Sequence, residues 1–161
     1  MELLYSMFGV DRTIFIRPDG GSKSFTGQLF HKETFIKDLD NLRRPPEEIV
    51  VVSGPKDIDE EYRLVVGNGK YITGGQYKSK GKLQKAPESS VPQEAIDIAI
   101  VAANLYKPDP VYVIDIGMTY QGAKIVEINS FSCSGLYWCN LEKIVEQVSE
   151  IVYNDWREVY D

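Results

Sequence analysis

Three residues of this chain have types and spacing suited to chemistry: Asp115 in Val111-Tyr-Val-Ile-Asp-Ile-Gly117, and Glu127 with Asn129 in Ala123-Lys-Ile-Val-Glu-Ile-Asn129. Both segments are β-branched and alternate, so they predict two strands. Tyr120-Gln121-Gly122 between them suits a three-residue hairpin loop with glycine in the left-handed position. In that register Asp115 lies opposite Glu127. Asn129 then shares the face of Glu127, while Ile114, Ile116, Val126 and Ile128 take the other face and point to a core. Like charges directly opposite on a sheet repel. A divalent cation removes the conflict, and two carboxylates plus an amide oxygen are the hard ligands Mg²⁺ accepts while it keeps waters and substrate phosphates. The alternative is a hairpin face of solvated acids with no ligand.

The elements that position these residues belong to a chain of 161 residues, enough for one ordinary domain or two small lobes sharing a cleft. A net charge of −6 argues against general affinity for nucleic acid, which requires a basic surface. No apolar run reaches the length of a membrane span and the N-terminus does not resemble a secretory signal, so no membrane partner is expected and the cytoplasm is the default location. Cys133 and Cys139 lack metal-ligand spacing and sit among Phe131, Leu136 and Trp138, which predicts reduced, partly buried thiols. His31 is the only histidine and precedes a helix start, where a surface or capping role is expected. A Ser/His/Asp or Cys/His triad is therefore nearly excluded.

Along the chain, Arg12 to Arg17 reads as a strand stopped by Pro18. The loop Asp19-Gly20-Gly21-Ser22-Lys23-Ser24-Phe25-Thr26-Gly27 leads to a short strand near Gln28 to Phe30. Lys32 to Leu42 places Phe35, Ile36, Leu39 and Leu42 on one helical face. Glu48 to Ser53 is a buried-looking strand running into Gly54-Pro55, a hinge candidate. Beyond it, strands Glu60–Val66 and Lys70–Tyr77 are joined at Gly67-Asn68-Gly69, and Lys78 to Ser90 reads as a mobile polar loop. A helix from about Pro92 to Tyr106 has Ser90 and Gln93 at capping-box spacing, with Ile96, Ala99, Ile100 and Ala103 as its buried stripe. Leu141, Ile144, Val145, Val148, Ile151 and Val152 mark a C-terminal helix whose stripe is core. The predicted class is α+β, with residues 1–53 as a small N-terminal lobe and residues 54–161 as a C-terminal lobe carrying the acidic hairpin.

Arg17 at a strand end and Lys23 in a glycine loop could bring cations and backbone N–H groups to phosphate, although the loop fits neither the Walker A pattern nor the Rossmann fingerprint. A flexible surface turn is the plain alternative. Taken in order, a cationic glycine loop, a hydrophobic connecting strand, an Arg-bearing strand and a D…E-x-N hairpin resemble the ATP-grasp superfamily, whose members hold MgATP between two lobes with mostly antiparallel sheets. The resemblance runs from about Arg12 to the C-terminal helix. It rests on Ile14-Phe15-Ile16-Arg17-Pro18, on Glu61-Tyr62-Arg63, and on Asp115 with Glu127-Ile128-Asn129. Arg17 where many members carry lysine, together with Lys23-Ser24-Phe25-Thr26-Gly27 and Gly74-Gly75-Gln76-Tyr77, looks like the bacterial and phage-associated clade in which that lysine is replaced.

The resemblance implies that Arg17 and Lys23 contact ATP phosphates, that Val51, Val52 and Ser53 line the adenine, and that Lys56 or Asp57 reaches the ribose. Arg63 would face the γ-phosphate or the acyl phosphate, with a cross-strand surface ion pair as its other reading. Asp115, Glu127 and Asn129 would hold one or two Mg²⁺ ions. The implied reaction joins a small-molecule or peptide carboxylate to an amine or other nucleophile through an acyl phosphate, with Arg63 and Lys23 as the catalytic residues. A nucleotide-binding regulatory or interaction module without ligase activity is the competing function. Family enzymes usually carry a further N-terminal domain that helps bind the acceptor, so the resemblance implies a reduced member, a fragment, or a chain that borrows that surface from a second copy of itself or from a partner.

Overall fold

A computed structural model of the chain describes residues 6–19, 24–42 and 47–160. Two compact units are present, Met1–Lys56 and Asp57–Asp161. In the first, strands β1 (Thr13–Pro18), β2 (Gln28–His31) and β3 (Val50–Ser53) form an antiparallel sheet in the order β2-β1-β3. Alternation along β1 buries Ile14 and Ile16, which pack with Phe30 and with Phe35 and Leu39 of helix α1 (Phe35–Asn41). The helix is shorter than the predicted Lys32–Leu42. A turn occupies its first residues, where the Thr34 N–H donates to the His31 carbonyl at 3.2 Å.

The second unit is a five-stranded antiparallel sheet. Its strands are β4 (Glu60–Gly67), β5 (Lys70–Ser79), β6 (Lys82–Ala86), β7 (Val111–Thr119) and β8 (Gly122–Ser130), in the order β6-β5-β4-β7-β8. Strand β6 falls in the segment predicted to be a mobile loop. Edge position explains the misleading signal, because an edge strand needs no apolar alternation and exposed Lys82 and Lys85 discourage further pairing. Helix α2 (Gln93–Leu105) covers one face of the sheet. Its alanines 95, 99, 102 and 103 are buried against Tyr62, Leu64, Tyr112, Ile114 and Ile116, so the buried stripe is turned toward the small residues and Ile96 and Ile100 are only half-buried. The predicted capping box does not form. Ser90 donates its hydroxyl to the Pro87 carbonyl at 2.6 Å, and Gln93 donates to Asp97 at 2.8 Å.

Helix α3 (Leu141–Tyr160) packs on the other face through Ile144, Val148 and Ile151, against Val65, Ile72, Val111 and Val113. Asn140 caps it, its side-chain oxygen accepting from the Lys143 N–H at 3.1 Å. Only part of the predicted stripe is core, since Leu141, Val145 and Val152 are exposed. Of the cysteines, Cys139 is buried here and Cys133 is exposed. None of the helices among the described residues is long and apolar enough to cross a membrane.

Burial in this unit has a pH consequence. It pushes the Cys139 thiol from about 9 up to about 11, and it raises the Tyr71 and Tyr112 hydroxyls, Tyr71 further through Glu88. Each group binds its proton more tightly folded than unfolded, so its contribution is complete below the unfolded value and is lost as pH rises. Urea midpoints should hold steady from neutral pH to about 8.5 and fall between about pH 9 and 11. A midpoint unchanged at pH 11 would show that these groups are open to solvent.

Candidate active site

Strand pairing sets the geometry of the acidic hairpin. Asp115 lies directly opposite Glu127 and Val113 opposite Asn129, although the turn is tighter than predicted. Thr119 pairs with Gly122, leaving only Tyr120 and Gln121 in the loop, and a bulge at Val126 restores the register before Asp115 is reached. The bulge leaves Val126 exposed rather than in the core. Gly122 has φ +88°, as expected of the left-handed position, and a Cβ there would also collide with the Glu94 carboxylate, whose Oε1 accepts from the Ala123 N–H at 2.9 Å.

On its other side β7 pairs with β4, which places Arg63 opposite Asp115. Arg63 donates from Nε to Asp115 Oδ1 at 2.8 Å and from Nη2 to Oδ2 at 2.7 Å. Both residues are buried, with Asp115 2% and Arg63 8% exposed, so the pair is an interior fork rather than a surface bridge. Burial raises the Asp115 carboxyl above the ordinary carboxylate range; Arg63 opposes the rise, and Glu127 and Glu61 add to it. For Arg63, burial works against the charge, but hydrogen bonding and attraction to Asp115 outweigh it and raise its value.

Further groups close around the fork. Arg63 Nη1 donates to the Gly135 carbonyl at 2.9 Å. Tyr77, opened toward this face by a β4–β5 register shift, donates to Glu61 Oε2 at 2.6 Å, and Lys78 pairs with Glu61 Oε1 at 2.6 Å. The Arg63 guanidinium carbon lies 5.5 Å from the ring centroid of Tyr77 and 5.1 Å from that of Tyr137. Gly75, opposite Arg63 on β5, admits the loop after β8: a Cβ there would lie 3.0 Å from the carbonyl carbon of Trp138 and 3.1 Å from its oxygen. Gln76 points away, directly opposite Tyr62, and its buried Nε2 has no hydrogen-bond partner among the described residues.

Of the sequence candidates, Asp115, Glu127, Asn129 and Arg63 therefore share the second unit. In the first unit Arg17 is exposed at the end of β1, opposite Val51, and donates from Nη1 to the Pro18 carbonyl at 3.0 Å. Val51, Val52 and Ser53 are half-buried on β3, whereas Lys56 and Asp57 are exposed. Lys23 lies outside the described residues. Tyr137 and Gly135 carried no sequence signal. Their part depends on a contact with Arg63 more than 70 residues away.

Among the described residues no group of three or more His, Cys, Asp or Glu is placed to hold a metal ion. A cation at this hairpin would rest on two acids and one amide oxygen, completed by waters and phosphate oxygens as Mg²⁺ prefers. The donor set fits. The Arg63 fork takes one lone pair from each Asp115 oxygen and leaves others, and the repulsion from Glu127 is the field a cation would relieve.

A family model of the ATP-grasp domain, family 3 of its clade, matches residues 5–148. The chain belongs to this ATP-grasp family. Its α+β architecture with two antiparallel sheets is that of ATP-grasp ligases. D-alanine–D-alanine ligase from Bacillus anthracis matches with a TM-score of 0.60 at 14% identity, over 80% of this chain and 46% of that one. The ATP-grasp ligase PsnB, complexed with a phosphomimetic variant of minimal precursor, Mg and ADP, gives 0.54 at 15% over 80% and 40%. D-cycloserine synthetase DcsG gives 0.54 at 14% over 84% and 52%. At these identities the likeness is one of fold. This ATP-grasp chain spans about half the length of those proteins, or less. No curated protein matches it in sequence.

Proposed function

We propose that this ATP-grasp domain binds MgATP and serves ATP-dependent ligation of a carboxylate to an amine or related nucleophile. The observation that carries the reading is the acidic hairpin. Glu127 faces Asp115 with Asn129 two residues on, within the stretch matched by the family. Asp115, Glu127 and Asn129 would hold Mg²⁺, which when bound supplies charge neutralisation to the phosphates. Arg17, and Lys23 in the glycine loop that follows it in sequence, would contact phosphates, and Val51, Val52 and Ser53 the adenine. Lys56 and Asp57 are the two ribose candidates.

In the reaction the substrate carboxylate attacks the γ-phosphorus as the bond to the ADP oxygen breaks. The acyl phosphate is then attacked by the nucleophile, with phosphate leaving. No protein nucleophile is needed, because positioning and charge stabilisation carry phosphoryl transfer. Arg63 has five N–H donors and commits three to Asp115 and Gly135, so two remain for phosphoryl oxygens. PsnB has been solved with a precursor peptide, and the ligase from Bacillus anthracis is named for the amino acid D-alanine, which makes peptide or small-molecule carboxylates the substrate class to try first.

A thermal-shift titration tests the reading. At about 100 times the dissociation constant, MgATP should stabilise the protein by about 2.7 kcal/mol, and ATP with EDTA by much less. Absence of any magnesium-dependent shift would remove the nucleotide function. A second reading, a nucleotide-binding module without ligase activity, is favoured by the fork itself, in which Arg63 and Asp115 are buried and committed to each other. Substrate-dependent ADP release separates the two.

A further inference from the structure

The least favourable backbone near the site belongs to Tyr137, which has φ +47°. An aromatic residue is disfavoured in the left-handed region, whereas glycine or asparagine takes it readily, so the contacts of this ring must outweigh the strain. Those contacts are specific. The Tyr137 ring stacks on Tyr77 with centroids 5.0 Å apart and planes 13° apart, and the guanidinium carbon of Arg63 lies over both rings. The Tyr137 hydroxyl makes no hydrogen bond among the described residues, so the side chain acts through its ring face.

The arrangement completes the immobilisation of Arg63. One edge of the guanidinium is fixed by Asp115 and a second direction by Gly135. Rotation out of that plane would strain these hydrogen bonds and would also meet the aromatic pair. We propose that Tyr137, stacked on Tyr77, is a positioning residue that holds the Arg63 guanidinium in one orientation and thereby sets the preference of the site for ATP over ADP. The inference rests on the MgATP reading and adds a residue to it. Tyr137 touches neither nucleotide nor metal in this role. Its effect passes through the two free N–H groups of Arg63, which address the group that ATP has and ADP lacks.

Calorimetric affinities for MgATP and MgADP on the full chain, with Tyr137→Phe and Tyr137→Asn, decide the matter. Asparagine tolerates the left-handed backbone, so the Asn variant removes the ring without adding strain. It should lose about tenfold in ATP affinity while ADP affinity stays within about twofold, and the Phe variant should match the wild type. Equal losses for both nucleotides, or an unchanged ratio, would overturn the proposal. The Arg63 Nε–H resonance of the nucleotide-free protein gives a second readout. It should keep its ring-current shift in Tyr137→Phe and lose it in Tyr137→Asn while backbone amides elsewhere stay in place. Collapse of the whole amide spectrum, or an unmoved resonance in Tyr137→Asn, would overturn the positioning role. A wild-type protein that binds neither nucleotide would instead remove the MgATP reading, with the resonance still reporting whether the rings hold Arg63.

Discussion

Replacing Asp115 with alanine should cost about 3–5 kcal/mol of folding stability, the range for stranding one charge of a buried pair. Arg63 is 8% exposed and directs both Nε and Nη2 at that carboxylate. With Asp115 gone, its one remaining hydrogen-bond acceptor among the described residues is the Gly135 carbonyl. Desolvation that the pair now offsets would fall on an isolated guanidinium. Both tryptophans, Trp138 and Trp156, lie in the second unit, so fluorescence-detected urea unfolding reads the unit that contains the pair. A double variant, Arg63→Met with Asp115→Leu, leaves neither charge buried and should recover most of the loss. A cost below about 1 kcal/mol for Asp115→Ala would mean that the pair behaves as a solvated one.

Asp115 is for that reason a poor place to test metal binding, and Glu127 is the better one. Glu127→Ala should change stability by about 1 kcal/mol or less, because the residue is exposed and its removal eases the repulsion on Asp115. Its effect on ligand binding should be large. The hairpin would keep one carboxylate, already forked to Arg63, and one amide, too few hard oxygens to compete with magnesium's waters. Of the total MgATP stabilisation of about 2.7 kcal/mol at 100 times the dissociation constant, the magnesium-dependent part should vanish while the magnesium-free shift persists. A Glu127→Ala protein that still answers to magnesium would take the metal role away from this hairpin.

The two experiments separate two uses of one surface. Asp115 and Arg63 bear on folding and on the proposed site together, whereas the exposed Glu127 bears chiefly on the proposed site. Measuring only the activity of an Asp115 variant would confound them.

Local patterns were legible in the sequence. Alternation in β7 and β8 identified both strands and the face of their acids, and Gly122 marked the left-handed position. The opposition of Asp115 and Glu127 was recovered although the loop is two residues rather than three, because the bulge at Val126 supplies the missing residue. The D…E-x-N hairpin and the Arg-bearing strand also identified the family. Elsewhere local signals misled: Ser90 took a turn partner in place of a cap, β6 hid in a polar stretch, and half of the α3 stripe remained exposed.

By itself, then, the sequence determined every described strand except β6, those of the acidic hairpin included, and it suggested a class of chemistry, since each of these depends on neighbours a few residues apart. Only the tertiary structure decided what Asp115 touches. Arg63 is 52 residues away in sequence and meets it because β4 and β7 are adjacent in the sheet. Tyr137 reaches Arg63 because Gly75 lets the loop after β8 settle on that face. Such contacts follow from strand order and loop path, which short-range periodicity does not encode.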